Sequence, residues 1–107
     1  MKQSVYIQKG AVIDIVLDSA VEVGDVVVLG DMVGVANVTG EEGEIISLSI
    51  EGVWEMKAKT DDAIAIGDKL YWDDAEKELT VTDTDNAFVG LAITSKEAVA
   101  GMVQVKF

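Results

Sequence analysis

Two aspartates in the same local sequence are the residues of this chain that most suggest catalysis. Gly24-Asp25 and Gly67-Asp68 each stand between two apolar segments. A pair of carboxylates can serve as general acid and general base where their environments push their pKa values apart. Neither aspartate is flanked by the Thr/Ser-Gly loop that such a pair needs, whereas glycine at positive φ followed by Asp is typical of a tight turn. We therefore predict that both pairs are structural turns.

Clustered carboxylates raise the question of a metal site. Acidic residues gather at Asp61-Asp62, at Asp73-Asp74 and at Asp83-Thr84-Asp85-Asn86. A twelve-residue calcium loop that began at Asp83 would require Gly at its sixth position and Glu at its twelfth. This chain has Phe88 and Thr94 there. We therefore predict solvated turns at all three clusters and no metal.

Lys57 is a candidate attachment point for a cofactor. Glu55-Met56-Lys57-Ala58 resembles the Met-Lys sequence of biotinyl and lipoyl carrier domains, which implies a lysine modified by a ligase. Apolar and charged residues alternate from Trp54 to Lys59. This period of two puts Lys57 within a strand, whereas a carrier lysine lies at the tip of a hairpin. A carrier domain is the alternative function.

The composition removes most catalytic chemistry. The chain contains no His, Cys, Pro or Arg. Without His and Cys it lacks the usual ligands of zinc, copper, haem and iron–sulfur clusters, the commonest general base and the thiol nucleophile. It also lacks a Gly-Lys dipeptide and therefore a Walker phosphate loop. We expect a protein that is not an enzyme and that holds no cofactor.

Charge and hydropathy argue against two classes of partner. The chain has 20 acidic residues against 8 lysines and a net charge of −12. Because nucleic-acid binding depends on neutralising phosphates, such a chain would be repelled. It also has no uncharged apolar stretch of about 18 residues, the length typical of a membrane helix. We expect neither a nucleic-acid partner nor a membrane.

Short strands are the elements that must position these residues. Val and Ile, which favour strands, dominate an apolar fraction of 50%. Leu70 and Trp72 alternate with polar residues, as do Leu79 and Val81 beyond an acidic loop, which is typical of a hairpin. At 107 residues, near the commonest domain size, we expect a single domain spanning residues 1–107.

The predicted fold is all-β, a small β-clip-like barrel or sandwich. One or two short helical turns are predicted, at Thr60–Ala65 and Ser95–Ala100. Residues 1–10 carry no strong core pattern, so we expect a flexible N-terminal arm.

One β-unit is predicted to occur twice, at about residues 20–50 and 63–107. The matching segments are Ala20–Val28 with Ala63–Tyr71, and Met32–Ala36 with Phe88–Ala92. Internal repeats of this length mark a structural unit rather than a catalytic site. The hairpin after Gly67-Asp68 is predicted to be an insertion in the second unit.

Four large aromatic residues are candidates for a partner or subunit interface: Trp54, Tyr71, Trp72 and Phe107. Such residues fill cores or cross-strand pairs, and in assemblies they anchor interfaces. Trp72 shares a face with Leu70 and is typical of a core position. Tyr71 points to the opposite face and is the better interface candidate.

Several segments resemble the motifs of a known family. They are Val23–Val28, Met32–Ala36, Gly52–Met56, Ala65–Asp73, Phe88–Ala92 and Val103–Val105. Together they span nearly the whole chain and resemble a family of small tailed-phage and prophage proteins, described as capsid decoration or cement proteins. The most recognisable run is Ala65–Asp73, in which Gly-Asp stands ahead of Tyr-Trp-Asp. These motifs are structural and include no catalytic signature.

The resemblance implies a structural role on a phage head. It implies an oligomer, expected to be a homotrimer, bound to the major capsid protein on the outer capsid surface. The protein would lie on the virion and be made in the cytoplasm of the bacterial host. An older label for the family, predicted phage recombinase, implies a recombination-associated factor instead. That function needs a Walker loop and a positively charged DNA path, and this sequence has neither.

Overall fold

A computed structural model describes residues 3–99 and 101–107, and these form nine strands. The strands are β1 (Val12–Val16), β2 (Val26–Leu29), β3 (Met32–Ala36), β4 (Ile45–Ser49), β5 (Val53–Lys57), β6 (Lys69–Asp73), β7 (Glu78–Thr80), β8 (Ala87–Ala92) and β9 (Met102–Lys106).

The strands follow the alternation of the sequence. In β1, Val12, Asp14 and Val16 are exposed, whereas Ile13 and Ile15 are half-buried. Successive side chains of a strand point to opposite faces, and β-branched residues suit such a half-covered surface. The described residues contain no α-helix. The prediction of a small all-β barrel or sandwich is therefore confirmed.

Two antiparallel sheets share one strand order. The first sheet is ordered β1-β4-β3-β2 and the second β5-β9-β8-β6-β7. Without β7, the second sheet repeats the first position by position. The β6–β7 hairpin adds the extra strand, and in it Trp72 pairs with Leu79. A parallel bridge between Ala58 and Leu79 ties the end of β5 to β7, which curls the second sheet.

β1 and β5 occupy equivalent places in the two sheets. Leu17, which follows β1, donates its N–H to the carbonyl of Glu44 at 2.8 Å. Ala58, which follows β5, donates its N–H to the carbonyl of Gly101, also at 2.8 Å. Both strands lie outside the segments that the sequence matched to each other. The shared strand order therefore extends further than the predicted repeat units.

The larger core joins the two sheets. Val33 and Val35 of β3 pack with Met56, Ala58, Ile64, Leu70, Trp72, Leu79, Val89, Ala92, Val103 and Val105. A smaller core of Leu17, Ala36 and Ile46 uses the opposite face of β3, because Val35 and Ala36 are neighbours along the strand. The first sheet thus buries residues on both faces, one against the second sheet and one in its own small core.

The predicted helical turns are wrong for the described residues. Ile64 and Lys96 instead pair as an antiparallel bridge, with N–H···O distances of 3.0 and 2.8 Å. Backbone groups committed to this bridge cannot form the i to i−4 bonds of a helix. Ala100, the last residue of the second predicted turn, lies outside the described residues. No helix in the described part of the chain is long and apolar enough to cross a membrane.

The segment predicted as a flexible arm lies only partly within the described residues, because Met1 and Lys2 are outside them. Residues 3–9 are exposed and form no strand. Its flexibility stays a prediction.

Candidate functional site

The first Gly-Asp pair forms the corner that leads into β2. Gly24 has φ of 90°, a left-handed conformation that glycine adopts at little cost. Its N–H donates to the carbonyl of Ala36 at 2.8 Å. The Asp25 carboxylate accepts a 2.9 Å hydrogen bond from the N–H of Glu22. The carboxylate thus closes a local turn.

The second Gly-Asp pair forms the corresponding corner before β6. Gly67 has φ of 92°, and its N–H donates to the carbonyl of Ala92 at 2.8 Å. The Asp68 carboxylate accepts a 2.9 Å hydrogen bond from the N–H of Ala65. Each predicted turn residue therefore lies at a turn with the same backbone conformation and bonding as its counterpart.

The two aspartates line different cavities. Asp25 lines a cavity of about 750 Å³, and Asp68 lines one of about 450 Å³. A catalytic carboxylate dyad needs both groups at one reacting centre. The lining of neither cavity includes both aspartates.

The acidic side chains at the tip of the β6–β7 hairpin accept hydrogen bonds from other residues of the same hairpin. Asp74 Oδ1 accepts hydrogen bonds from Lys77 Nζ at 2.7 Å and from Trp72 Nε1 at 3.2 Å. The Lys77 bond is the main cause that lowers the pKa of Asp74 below its usual 3.8. Asp73 Oδ1 accepts from the N–H of Ala75 at 3.1 Å. In the part of the chain that the structure describes, no group of three or more acidic side chains is arranged to hold a metal ion.

Lys57 lies in the strand ladder, as the alternation predicts. It is the last residue of β5 and pairs with Met102 of β9. Its ammonium lies 3.9 Å from the Glu78 carboxylate. Lys57 therefore does not lie at a hairpin tip, where a carrier lysine would lie.

The predicted interface aromatics fall into three environments. Trp72 is buried in the larger core. Trp54 and Phe107 are half-buried neighbours whose ring centroids lie 6.4 Å apart. Tyr71 lies on the opposite face of β6 from Trp72, as predicted, and packs edge to face on Phe88 with centroids 5.7 Å apart. Of the four predicted interface aromatics, Tyr71 is thus the residue whose side chain shares a sheet face with exposed residues.

Tyr71 belongs to a surface that we call the outer face of the second sheet: Lys69, Tyr71, Phe88, Leu91 and Lys106. Tyr71 pairs with Phe88, Lys69 pairs with Leu91, and Leu91 pairs with Lys106. Directly opposed residues of antiparallel strands project from the same face. The outer face therefore combines two aromatic rings and a leucine with two lysines.

The equivalent face of the first sheet is covered instead. There, Val35 pairs with Val26 and Ser49, as Leu91 pairs with Lys69 and Lys106 in the second sheet. Val35 is 4% exposed because it packs in the larger core, whereas Leu91 is 45% exposed. The same face is thus internal in one sheet and left open in the other.

Charge is distributed unevenly along the chain. Residues 10–56 contain no lysine, whereas the outer face carries Lys69 and Lys106. In a chain of net charge −12, these two cations lie on either side of Leu91. The same face also carries acidic side chains, because Asp73 follows Tyr71 by two residues and pairs with Glu78. A partly aromatic surface with charges of both signs is suited to a polar protein partner.

Sequence reasoning missed Phe88 and Leu91 as surface residues. In β8, Val89 and Gly90 are both buried between the exposed Phe88 and Leu91. The register of β6 on β8 shifts between Leu70 and Tyr71, so a strict period of two does not hold there. Residues 87–92 are all apolar or glycine, so the sequence of β8 shows no alternation that could have identified Phe88 and Leu91 as exposed.

Comparison with protein families matches residues 7–107 to a family model described as phage cement protein. No curated protein and no solved structure matches the chain.

Proposed function

The chain belongs to the phage cement protein family, and from this premise we propose that it is a non-enzymatic head-decoration protein. It binds the major capsid protein on the outer surface of a phage capsid, as a homo-oligomer expected to be a trimer. Its place is the surface of the virion, after synthesis in the host cytoplasm. Its contribution is mechanical, because it adds buried area between capsid subunits.

We assign capsid binding to the outer face of the second sheet because of one observation. The outer face of the second sheet is open, whereas its counterpart in the first sheet is buried. Phe88 and Leu91 are close to half exposed and adjoin Tyr71. Tyrosine is enriched among the residues that dominate binding energy, where it is surrounded by contacts that exclude water.

The rim of this surface supports a protein partner. Lys69 and Lys106 flank Leu91 on the two neighbouring strands. Rim charges of this kind speed association and fix its register more than they raise affinity. The apolar centre would supply the affinity, and the lysines would select an acidic or polar capsid surface.

Binding to undecorated capsids of the source phage is the direct test. We expect the protein to co-sediment with capsids up to a saturating copy number, and light scattering of the free protein to give a trimer mass. Cosedimentation no greater than that of an unrelated acidic protein of similar size would overturn the proposed function. A different oligomer mass with intact binding would overturn only the trimer.

A further inference from the structure

The segment that precedes β1 is apolar and open. Val5, Tyr6 and Ile7 are 70%, 80% and 82% exposed, and residues 3–9 belong to no strand. The Gln8 side chain donates to the carbonyl of Val12 at 3.1 Å, which is a bond within the same stretch of chain. Three consecutive apolar residues left in solvent are a candidate contact surface.

An unpaired strand edge is available elsewhere in the fold. β2 is the last strand of the first sheet and pairs with β3. The carbonyl of Asp25 accepts from the N–H of Ala36 at 2.9 Å. Because inward and outward groups alternate along an antiparallel strand, the N–H and C=O of Val26 and Val28 point away from β3. Such an edge is a template for one more strand.

This edge opens into the larger cavity, of about 750 Å³. Val26, Val27 and Val28 line one side, and Glu55–Lys57 and Trp72 of the second sheet also line it. The cavity thus combines a row of free backbone groups with valine side chains. An extended apolar segment could satisfy both.

The charges of the cavity and of the leading segment are opposite. Four carboxylates line the cavity, those of Asp18, Asp25, Glu55 and Asp74, against the two ammonium groups of Lys57 and Lys77. Asp74 is paired with Lys77, and the lining as a whole is negative. The leading segment carries Lys9 and has no acidic residue before Asp14.

We propose that residues 3–10 of one copy bind as an added strand along β2 of a second copy. Four residues, Val5–Gln8, span about 13 Å when extended, as does the four-residue β2. β1, which follows the segment, lies at the opposite edge of its sheet from β2. Two strands therefore separate the segment from the β2 edge of its own chain, which favours the β2 edge of a second copy. This contact links copies without requiring a capsid, and it therefore goes beyond the proposed function.

Hydrogen exchange of the full chain tests this contact. We expect the amides of Val26 and Val28 to exchange at least tenfold more slowly at millimolar than at micromolar protein concentration. The double variant Val5→Asp/Ile7→Asp is expected to abolish that difference and to lower the mass seen by light scattering. Val38→Asp, a change of similar type at an exposed site outside the cavity, serves as the control, and thermal unfolding verifies that each variant is folded.

Several outcomes would overturn the contact. One is exchange at Val26 and Val28 that does not depend on concentration. Another is protection that persists in the double variant, and a third is protection that develops only when capsids are added, which would make a capsid segment the occupant. If the double variant still binds capsids, the proposed function stands even where the contact between residues 3–10 and β2 is overturned.

Discussion

Tyr71 and Phe88 lie opposite each other on β6 and β8, with ring centroids 5.7 Å apart and ring planes at 67°. Edge-to-face pairs of this kind add about 0.5–1.5 kcal/mol beyond the area that they bury. In this protein the pair lies on the open face of the second sheet rather than in the core. It is therefore placed to serve binding more than folding.

Replacing the pair is expected to weaken capsid binding. The double variant Tyr71→Ser/Phe88→Ser removes the apolar centre of the outer face, and truncating such anchors costs about 2 kcal/mol or more. We expect at least tenfold weaker binding in a cosedimentation titration. Val38→Ser is a matched control, since Val38 and Phe88 are both 47% exposed. Equal affinities for the two variants would assign capsid binding to another surface.

Gly90 is expected to tolerate no side chain. A Cβ at this position would lie 1.9 Å from the carbonyl oxygen of Lys106, a backbone atom that cannot move aside without shifting β9. We expect Gly90→Ala to lower the free energy of unfolding by about 1–3 kcal/mol, at the upper end because the clash is with backbone. Gly101→Ala is the control, because nothing lies within 4 Å of a Cβ there. Thermal unfolding of both variants measures the difference, and similar melting temperatures would contradict the close approach of β8 to β9.

Lys96 is expected to stabilise the fold although it is charged. It is buried, and its ammonium donates to the carbonyls of Lys59, Asp62 and Glu97. Lys96→Met would leave these carbonyls without that donor, at a cost of about 1–3 kcal/mol. Lys77→Met removes an exposed ion pair worth about 1 kcal/mol at most. Chemical denaturation is expected to give a clearly lower free energy of unfolding for Lys96→Met than for Lys77→Met. The reverse order would exclude a stabilising role for Lys96.

Asp74 is expected to titrate below its usual pKa of 3.8, mainly because Lys77 donates a hydrogen bond to its carboxylate. A pKa lowered in the folded state stabilises the protein above the unfolded pKa. That stabilisation is lost as the pH falls through the folded pKa. Carboxyl NMR should therefore give a midpoint below 3.8, and Lys77→Met should raise it. A midpoint that is the same in both proteins would show that Lys77 does not cause the shift.

Lys57 is expected to remain unmodified. It pairs with Met102 within the β5–β9 ladder. A ligase can reach the backbone around a lysine at a hairpin tip, but not the backbone of a paired strand. Intact mass after co-expression with a biotin or lipoate ligase should equal the mass of the unmodified chain. A gain of one biotinyl or lipoyl group that Lys57→Ala abolishes would restore the carrier alternative.

Local signals in the sequence were sufficient for several elements. The Gly-Asp corners before β2 and β6, the β6–β7 hairpin and the opposite orientations of Tyr71 and Trp72 all depend on a few neighbouring residues, and the structure has each of them. The short helical turns were wrong because the backbone bridge between Ile64 and Lys96 joins segments distant in the sequence. Phe88 was missed because the shifted register of β6 on β8 breaks the alternation that would place its side chain.

The sequence by itself determined an all-β chain with two matching series of strands, acidic and without the residues of common catalytic sites. Val35 and Leu91 show what it could not determine, since both follow a Val-Gly pair in matching segments. Only the tertiary structure buries Val35 and leaves Leu91 open. Alternation fixes which side chains share a face, but which face is covered depends on how the sheets formed by the two halves of the chain pack together.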